Sequence, residues 1–272
     1  MTNRPLALIT GASSGIGAAL ALTYAARGYD LVLVARRRDR LQEVAAQAAG
    51  SGAGTEILVA DLATPDGLAD VAGRAARGDV RLLVSCAGVS GYKPLHDLSA
   101  ADIDQLWRLN ATAPVTLAHA VLPSLRERGE GAVVTIASLL AFSTGQRTLD
   151  TDAVSMTLPP RTMYAAAKSA TVAFTRALAA ELAGTGVTAT VVCPGRVATE
   201  WSGNQSQENQ PGVMSAQDVA TATAAAVELG ETVCVPGLAD TGSVDRFTDA
   251  ERELLSDGNR ADIADRYRAP GR

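Results

Sequence analysis

The chain predicts an α/β fold, a doubly wound parallel sheet of seven strands with helices on both faces. Three observations carry that expectation. Seven short runs rich in Val, Leu and Ile alternate with longer alanine-rich stretches. The runs are apolar at successive positions, as in strands covered on both faces. A glycine-rich turn joins the first run directly to the first helical stretch, and in such sheets ligands collect at the carboxyl ends of the strands.

In chain order the strands are expected at residues 5–10, 30–35, 55–60, 81–85, 132–138, 187–193 and 232–235. Right-handed crossovers through the intervening helices place them in one sheet. With 272 residues and 47% hydrophobic content, the whole chain, 1–272, reads as one domain around one core. Two segments break the rhythm. Residues 143–162 (STGQRTLDTDAVSMTLPPRT) form a long irregular insertion, and residues 199–215 are polar and rich in Gln, Asn and Gly. Loops of this length in a compact domain are usually lids or disordered. The tail, 239–272, offers one short helix around 249–255.

A net charge of −5 and a pI near 5.1 leave no electrostatic footprint for nucleic acid, and no Lys or Arg run suits an anionic membrane surface. Cys86, Cys193 and Cys234 are far apart and lack a C-x-x-C pair, so neither a disulfide framework nor a zinc site is indicated. The apolar run Leu6-Ala7-Leu8-Ile9 is too short for a signal core, and no stretch reaches a membrane span. A cytoplasmic protein acting on a small molecule, without a metal, is the expectation.

After the first strand comes Thr10-Gly11-Ala12-Ser13-Ser14-Gly15-Ile16-Gly17, then a helix to about Arg27. The glycines permit a tight turn and close backbone approach, and the helix N-terminus aims free N–H groups at a pyrophosphate. Ser13 and Ser14 add hydroxyl donors. This is the context of a dinucleotide-binding Rossmann fold. At the end of the second strand stands Arg36-Arg37-Arg38, where an NAD-binding protein carries a carboxylate for the adenosine ribose. A guanidinium holds a 2′-phosphate bidentately, which favours NADP(H). Arg36 is the first candidate and Arg37 the second; Arg37, Arg38 and Arg40 also suit a solvated helix start.

Tyr164-Ala165-Ala166-Ala167-Lys168 opens a later helix, and residues four apart share a face. A nearby ammonium lowers the pKa of a phenol, ordinarily near 10. Tyr164 then serves as proton donor or acceptor for a carbonyl and alcohol pair. The spacing alone is common on amphipathic helices; its place in this fold gives it weight.

Together, Thr10-Gly-x-x-x-Gly-x-Gly17, Asn110, Ser138, Tyr164-x-x-x-Lys168 and Pro194-Gly195-x-Val197-x-Thr199 resemble the short-chain dehydrogenase/reductase family, in its order, over about residues 5–235. The resemblance implies that Lys168 also grips the nicotinamide ribose and that Ser138 hydrogen-bonds the substrate oxygen. It implies that Asn110 holds a relay water against Lys168, and that Asp61 and Leu62 line an adenine pocket. By the same resemblance, Ala87 and Gly88 are expected to approach the adenosine ribose, and Pro194, Gly195, Val197 and Thr199 to belong to the segment that fixes the nicotinamide carboxamide. The helices at 102–128 and 164–182 resemble the family's subunit-packing pair, so a homodimer or homotetramer is expected.

Two departures stand out. Ser85-Cys86 replaces the family's Asn-Asn before Ala87-Gly88, exchanging a bracing amide for a thiol, a weak hydrogen-bonding group; Cys86 reads as a small buried hydrophobe. The distance from Ser138 to Tyr164 is about double the family pattern, so the insertion lies beside the substrate as a lid or a docking excursion. Ser143 and Ser155 compete with Ser138 on proximity; Ser138 is preferred at a strand end.

The function this implies is NADPH-dependent interconversion of a ketone or acyl carbonyl and a secondary alcohol, with a pocket drawn from residues 91–95, 139–162 and 199–214. Two rivals remain: an NADPH-binding sensor or scaffold without turnover, and an epimerase or dehydratase, which needs a larger carboxyl-terminal domain.

Overall fold

The computed structural model describes residues 4–150, 155–200 and 212–268. Asp152 and the rest of 151–154 in the insertion, 201–211 in the polar segment, and the tail's last four residues lie outside them. The residues group into two compact units, Met1–Pro236 and Gly237–Arg272.

In the first unit the strands are β1 (Leu6–Thr10), β2 (Asp30–Ala35), β3 (Thr55–Val59), β4 (Val80–Ser85), β5 (Gly131–Ile136), the short β6 (Thr148–Asp150) and β7 (Ser155–Thr157), β8 (Val187–Val192), β9 (Arg196–Ala198), β10 (Val213–Ser215) and β11 (Val233–Cys234). The helices are α1 (Gly15–Ala26), α2 (Arg38–Ala49), α3 (Pro65–Ala75), α4 (Ala100–Trp107), α5 (Ala113–Arg128), α6 (Thr162–Glu181) and α7 (Ala216–Leu229). Seven strands form one sheet in the order β11-β8-β5-β4-β1-β2-β3, all parallel. The order reverses between β1 and β4, the crevice where doubly wound sheets bind ligands.

Successive residues of each central strand enter opposite cores, the period-2 geometry of a pleat. Ala7, Ile9, Leu31, Leu33, Leu82 and Val84 pack with Leu20 of α1, Leu41 of α2 and Val219 of α7. Leu8, Val32, Val34 and Leu83 pack on the other face with Val71 of α3, Leu117 and Val121 of α5 and Leu178 of α6. Both faces are thus covered, which is why the strands read as continuous apolar runs.

Three elements differ from expectation. The helix expected at 102–128 is two helices joined by a π turn, Arg108–Thr112, with Asn110 at its centre. The insertion carries an antiparallel β6–β7 pair, Thr148 opposite Thr157 and Asp150 opposite Ser155, rather than irregular chain. In the second unit, α8 runs from Gly242 to Gly258, longer than 249–255. Local polar contacts extend it, Thr241 Oγ1 to Asp245 at 2.9 Å and Arg252 to Asp249 at 2.6 Å.

Candidate active site

The glycine loop is shaped by close contacts that leave no room for side chains. A Cβ on Gly17 would lie 2.2 Å from the Gly11 carbonyl oxygen, and one on Gly11, whose φ is +68°, would lie 2.9 Å from the Ala87 nitrogen. The loop therefore sits against the end of β4, and α1 is drawn onto the loop. The Thr10 hydroxyl accepts from the N–H groups of Cys86 and Ala87 at 3.0 and 3.1 Å. A side chain on β1 thus braces the end of β4, where Ser85-Cys86 brings no amide. Among the described residues the buried Ser85 hydroxyl has no hydrogen-bond partner, and burial pushes the Cys86 thiol up to about 12, so Cys86 stays a protonated, inert thiol.

Ser14 stands at the N-cap of α1 without a side-chain capping bond, and the first turn holds no acidic residue. Its N–H groups and dipole suit an anion. The guanidinium that reaches this loop is that of Arg37, not Arg36. Arg37 Nη2 donates to Ser14 Oγ at 2.8 Å and to Ser13 Oγ at 3.2 Å, whereas Arg36 pairs with Asp61 at 3.9 Å. Asp61 also accepts from the Ala63 N–H at 3.0 Å. The Leu62 side chain is buried in the core with Val71 and Leu109.

At the far side of the crevice, Ser138 follows β5 and Tyr164 lies in the first turn of α6. Tyr164 is 4% exposed, and its hydroxyl interacts with those of Ser138 and Tyr92. The Tyr92 and Tyr164 rings meet edge-on, centroids 5.3 Å apart. Burial, then the neighbouring Tyr92, push the Tyr164 pKa up, while Ser138 opposes the rise. This corrects the expectation that Lys168 lowers it. The Lys168 ammonium is 5.8 Å from the Tyr164 ring centroid and donates to the Ile136 carbonyl oxygen at 2.8 Å. Burial lowers its own pKa to about 8.

Asn110 acts on the backbone. Its Nδ2 donates to Val89 O at 2.9 Å and Leu106 O at 3.0 Å, its Oδ1 accepts from Val89 N at 3.3 Å, and its carbonyl oxygen accepts from Thr171 Oγ1 at 2.7 Å. The amide is taken up in clamping Val89; the widened π turn presents it there. A Cβ on Gly88 would lie 2.7 Å from Asn110 Oδ1 and 3.5 Å from Lys168 Nζ, so the glycine lets the β4 end settle onto both. Pro194 O accepts from Leu139 N at 2.9 Å, which joins the Pro194-Gly195 turn to the segment beginning at Ser138. Val197 lies on β9, paired with Met214 of β10. Thr199 leans on the glycine loop: a Cβ on Gly15 would meet its Cγ2 at 3.0 Å.

Ser143 and Ser155 are engaged elsewhere. Ser143 donates to Leu140 O and accepts from Arg161 Nε at 2.7 Å, and Ser155 donates to Asp150 at 2.6 Å. Arg161 also donates to Ser143 O, Gln146 O and Pro159 O, tying the insertion to the start of α6, one turn from Tyr164. Tyr92 was within the expected pocket at 91–95 but carried no signal of its own, because its pairing with Tyr164 is tertiary. Among the described residues no cluster of His, Cys, Asp and Glu suits a metal ion and no helix is long and apolar enough to cross a membrane.

Residues 5–210 match the short chain dehydrogenase family. The chain belongs to that family. The family is one of oxidoreductases. It is 35% identical over 199 residues to a short chain dehydrogenase of Pseudocercospora fijiensis, an alignment covering 71% of this chain and 60% of that one. The chain thus spans less than two thirds of that relative's length. A bulky-bulky ketone specific alcohol dehydrogenase from Comamonas testosteroni superposes with a TM-score of 0.86 at 30% identity, covering 98% of this chain and 100% of the other. A short-chain dehydrogenase from Sphingobium yanoikuyae in complex with NADPH gives 0.86 at 34% identity, with 97% and 100% covered.

Proposed function

We propose that this short chain dehydrogenase reduces a ketone carrying two bulky substituents to the secondary alcohol, using NADPH. The observation that carries the reading is the buried Tyr164 hydroxyl facing the Ser138 hydroxyl. A phenol whose pKa is raised stays protonated at neutral pH, the form that donates to an oxygen gaining negative charge. Ser138 orients the carbonyl. Lys168 stands behind the phenol, cationic below about pH 8. Asn110, by clamping Val89, is a positioning residue for the turn that carries Tyr92.

The side-chain-free cradle at Gly11, Gly17 and Gly88, the uncapped start of α1 and the Arg37 guanidinium fit a phosphorylated dinucleotide. NADPH, when bound, supplies the hydride. Gly11, Ser13, Ser14, Gly15, Ile16 and Gly17 would hold its pyrophosphate, Arg37 its 2′-phosphate, Asp61 and the Leu62 backbone its adenine, Ala87 and Gly88 its adenosine ribose, Lys168 its nicotinamide ribose, and residues 194–199 its carboxamide. The Comamonas and Sphingobium proteins, matched nearly end to end, supply the bulky ketone and the cofactor of this reading.

Calorimetric titration of NADPH and NADH tests the cofactor. Arg37→Ala is expected to weaken NADPH by about 10- to 100-fold, the worth of a charge-assisted bond, and to leave NADH nearly unchanged. A loss confined to Arg36→Ala would return the 2′-phosphate to Arg36, and equal binding of both nucleotides to wild type would end the NADPH reading. Consumption of NADPH with a panel of bulky ketones then separates an enzyme from a binding-only protein.

Tyr92 sets a pH dependence. Tyr164 donates only while protonated, and Tyr92 holds its pKa up. Tyr92→Phe therefore lowers that pKa, and the alkaline fall in the reduction rate is expected to begin at lower pH. A profile identical to wild type would uncouple the two phenols.

A further inference from the structure

Arg37 is engaged on two sides. While its Nη2 holds the serines of the glycine loop, its Nη1 pairs with the Glu200 carboxylate at 3.2 Å. The other oxygen of that carboxylate lies 3.8 Å from Arg40 Nη2. Glu200 comes directly after Thr199, whose side chain lies against Gly15. Residues 199 and 200 thus reach across from the end of β9 onto the glycine loop and onto Arg37 and Arg40 at the start of α2. A carboxylate set between two guanidinium groups presents the charge and the paired oxygens that a phosphate presents.

We infer that Glu200 is a built-in competitor for the anion site of Arg37 and Arg40, so that a cofactor's 2′-phosphate must displace it and Glu200 limits how strongly the protein prefers NADP(H) over NAD(H). The inference rests on the NADPH reading above. Two negative groups cannot share Arg37 without repulsion. Binding the 2′-phosphate therefore breaks the Glu200 pair, a cost that NADH, which lacks that phosphate, escapes. The Glu200 side chain is about one-third exposed, so the pair is screened and its effect is of surface size.

The test is calorimetric titration of NADPH and NADH into wild type, Glu200→Gln, Arg37→Ala and the double variant. Glu200→Gln keeps the shape and removes the charge. It is expected to tighten NADPH by about two- to fivefold, the range of a surface ion pair, to leave NADH unchanged, and to have a smaller effect on NADPH in the Arg37→Ala background, where only the longer Arg40 contact remains. Weaker NADPH binding in Glu200→Gln would overturn the inference by making Glu200 a brace for Arg37. Equal tightening of both nucleotides would overturn it by making the carboxylate a general repulsion at the pyrophosphate. A wild type that binds NADPH no better than NADH would instead sink the cofactor reading itself, and the inference with it. Matching melting curves across the four proteins identify any loss that comes from misfolding.

Discussion

Tyr164→Phe is expected to lower the rate of ketone reduction by about 10²–10⁴-fold, the usual contribution of a positioned acid, while NADPH affinity shifts no more than a few-fold. The substitution removes only the hydroxyl. The ring is buried and held edge-on by Tyr92, so phenylalanine keeps the packing and the slot beside Ser138 keeps its shape. Single-turnover reduction by the NADPH-loaded variant isolates the chemical step from binding. A rate within tenfold of wild type would remove Tyr164 from the acid's role, and the half-exposed phenol of Tyr92 would then be the group to test.

Local chemistry made much of this molecule readable. Each of the seven sheet strands lies within two residues of its expected bounds; the central ones are readable because runs buried on both faces must be apolar, and the edge strand β3, with Thr55 and Glu56 exposed, through its Ile57-Leu58-Val59 run. The glycine loop was legible because its spacing reflects a backbone approach, seen in Gly17 against Gly11 and Gly11 against Ala87. The spacing of Tyr164 and Lys168 put both on one face of α6, but not where the ammonium points. Its Nζ turns to the Ile136 carbonyl at the end of β5, a partner 32 residues away, and the phenol is left to burial and to Tyr92. The choice between Arg36 and Arg37 was hidden for a similar reason. Adjacent residues leave β2 in different directions, and only the fold shows that Arg37 meets Ser13 and Ser14 while Arg36 meets Asp61. The π turn at Asn110 was illegible too, since Leu106, Leu109 and Ala113 fit an uninterrupted helix equally well.

Gly17→Ala is expected to damage stability and cofactor binding together. The added methyl would stand 2.2 Å from the Gly11 carbonyl oxygen and 2.6 Å from its carbon, contacts with backbone that no rotamer change relieves. Either the loop or the start of α1 must retreat. The loop is fixed by its own contact with Ala87, and α1 is fixed by Leu20 and Ala21 in the core, so both moves strain packed structure. Overpacking of this kind costs about 1–3 kcal/mol, and the same displacement carries the N–H groups of the first turn away from the pyrophosphate. An affinity loss of about 10- to 100-fold for NADPH and NADH alike corresponds to that range. It differs from Arg37→Ala, which acts on NADPH only. Gly73→Ala is the control: Gly73 lies within α3 with nothing inside 4 Å of an added Cβ, and alanine there favours the helix by about 1 kcal/mol. Urea midpoints and nucleotide titrations on the two variants decide the matter. If Gly17→Ala bound both nucleotides as tightly as Gly73→Ala does, the close packing of α1 on the loop would have no part in holding the cofactor.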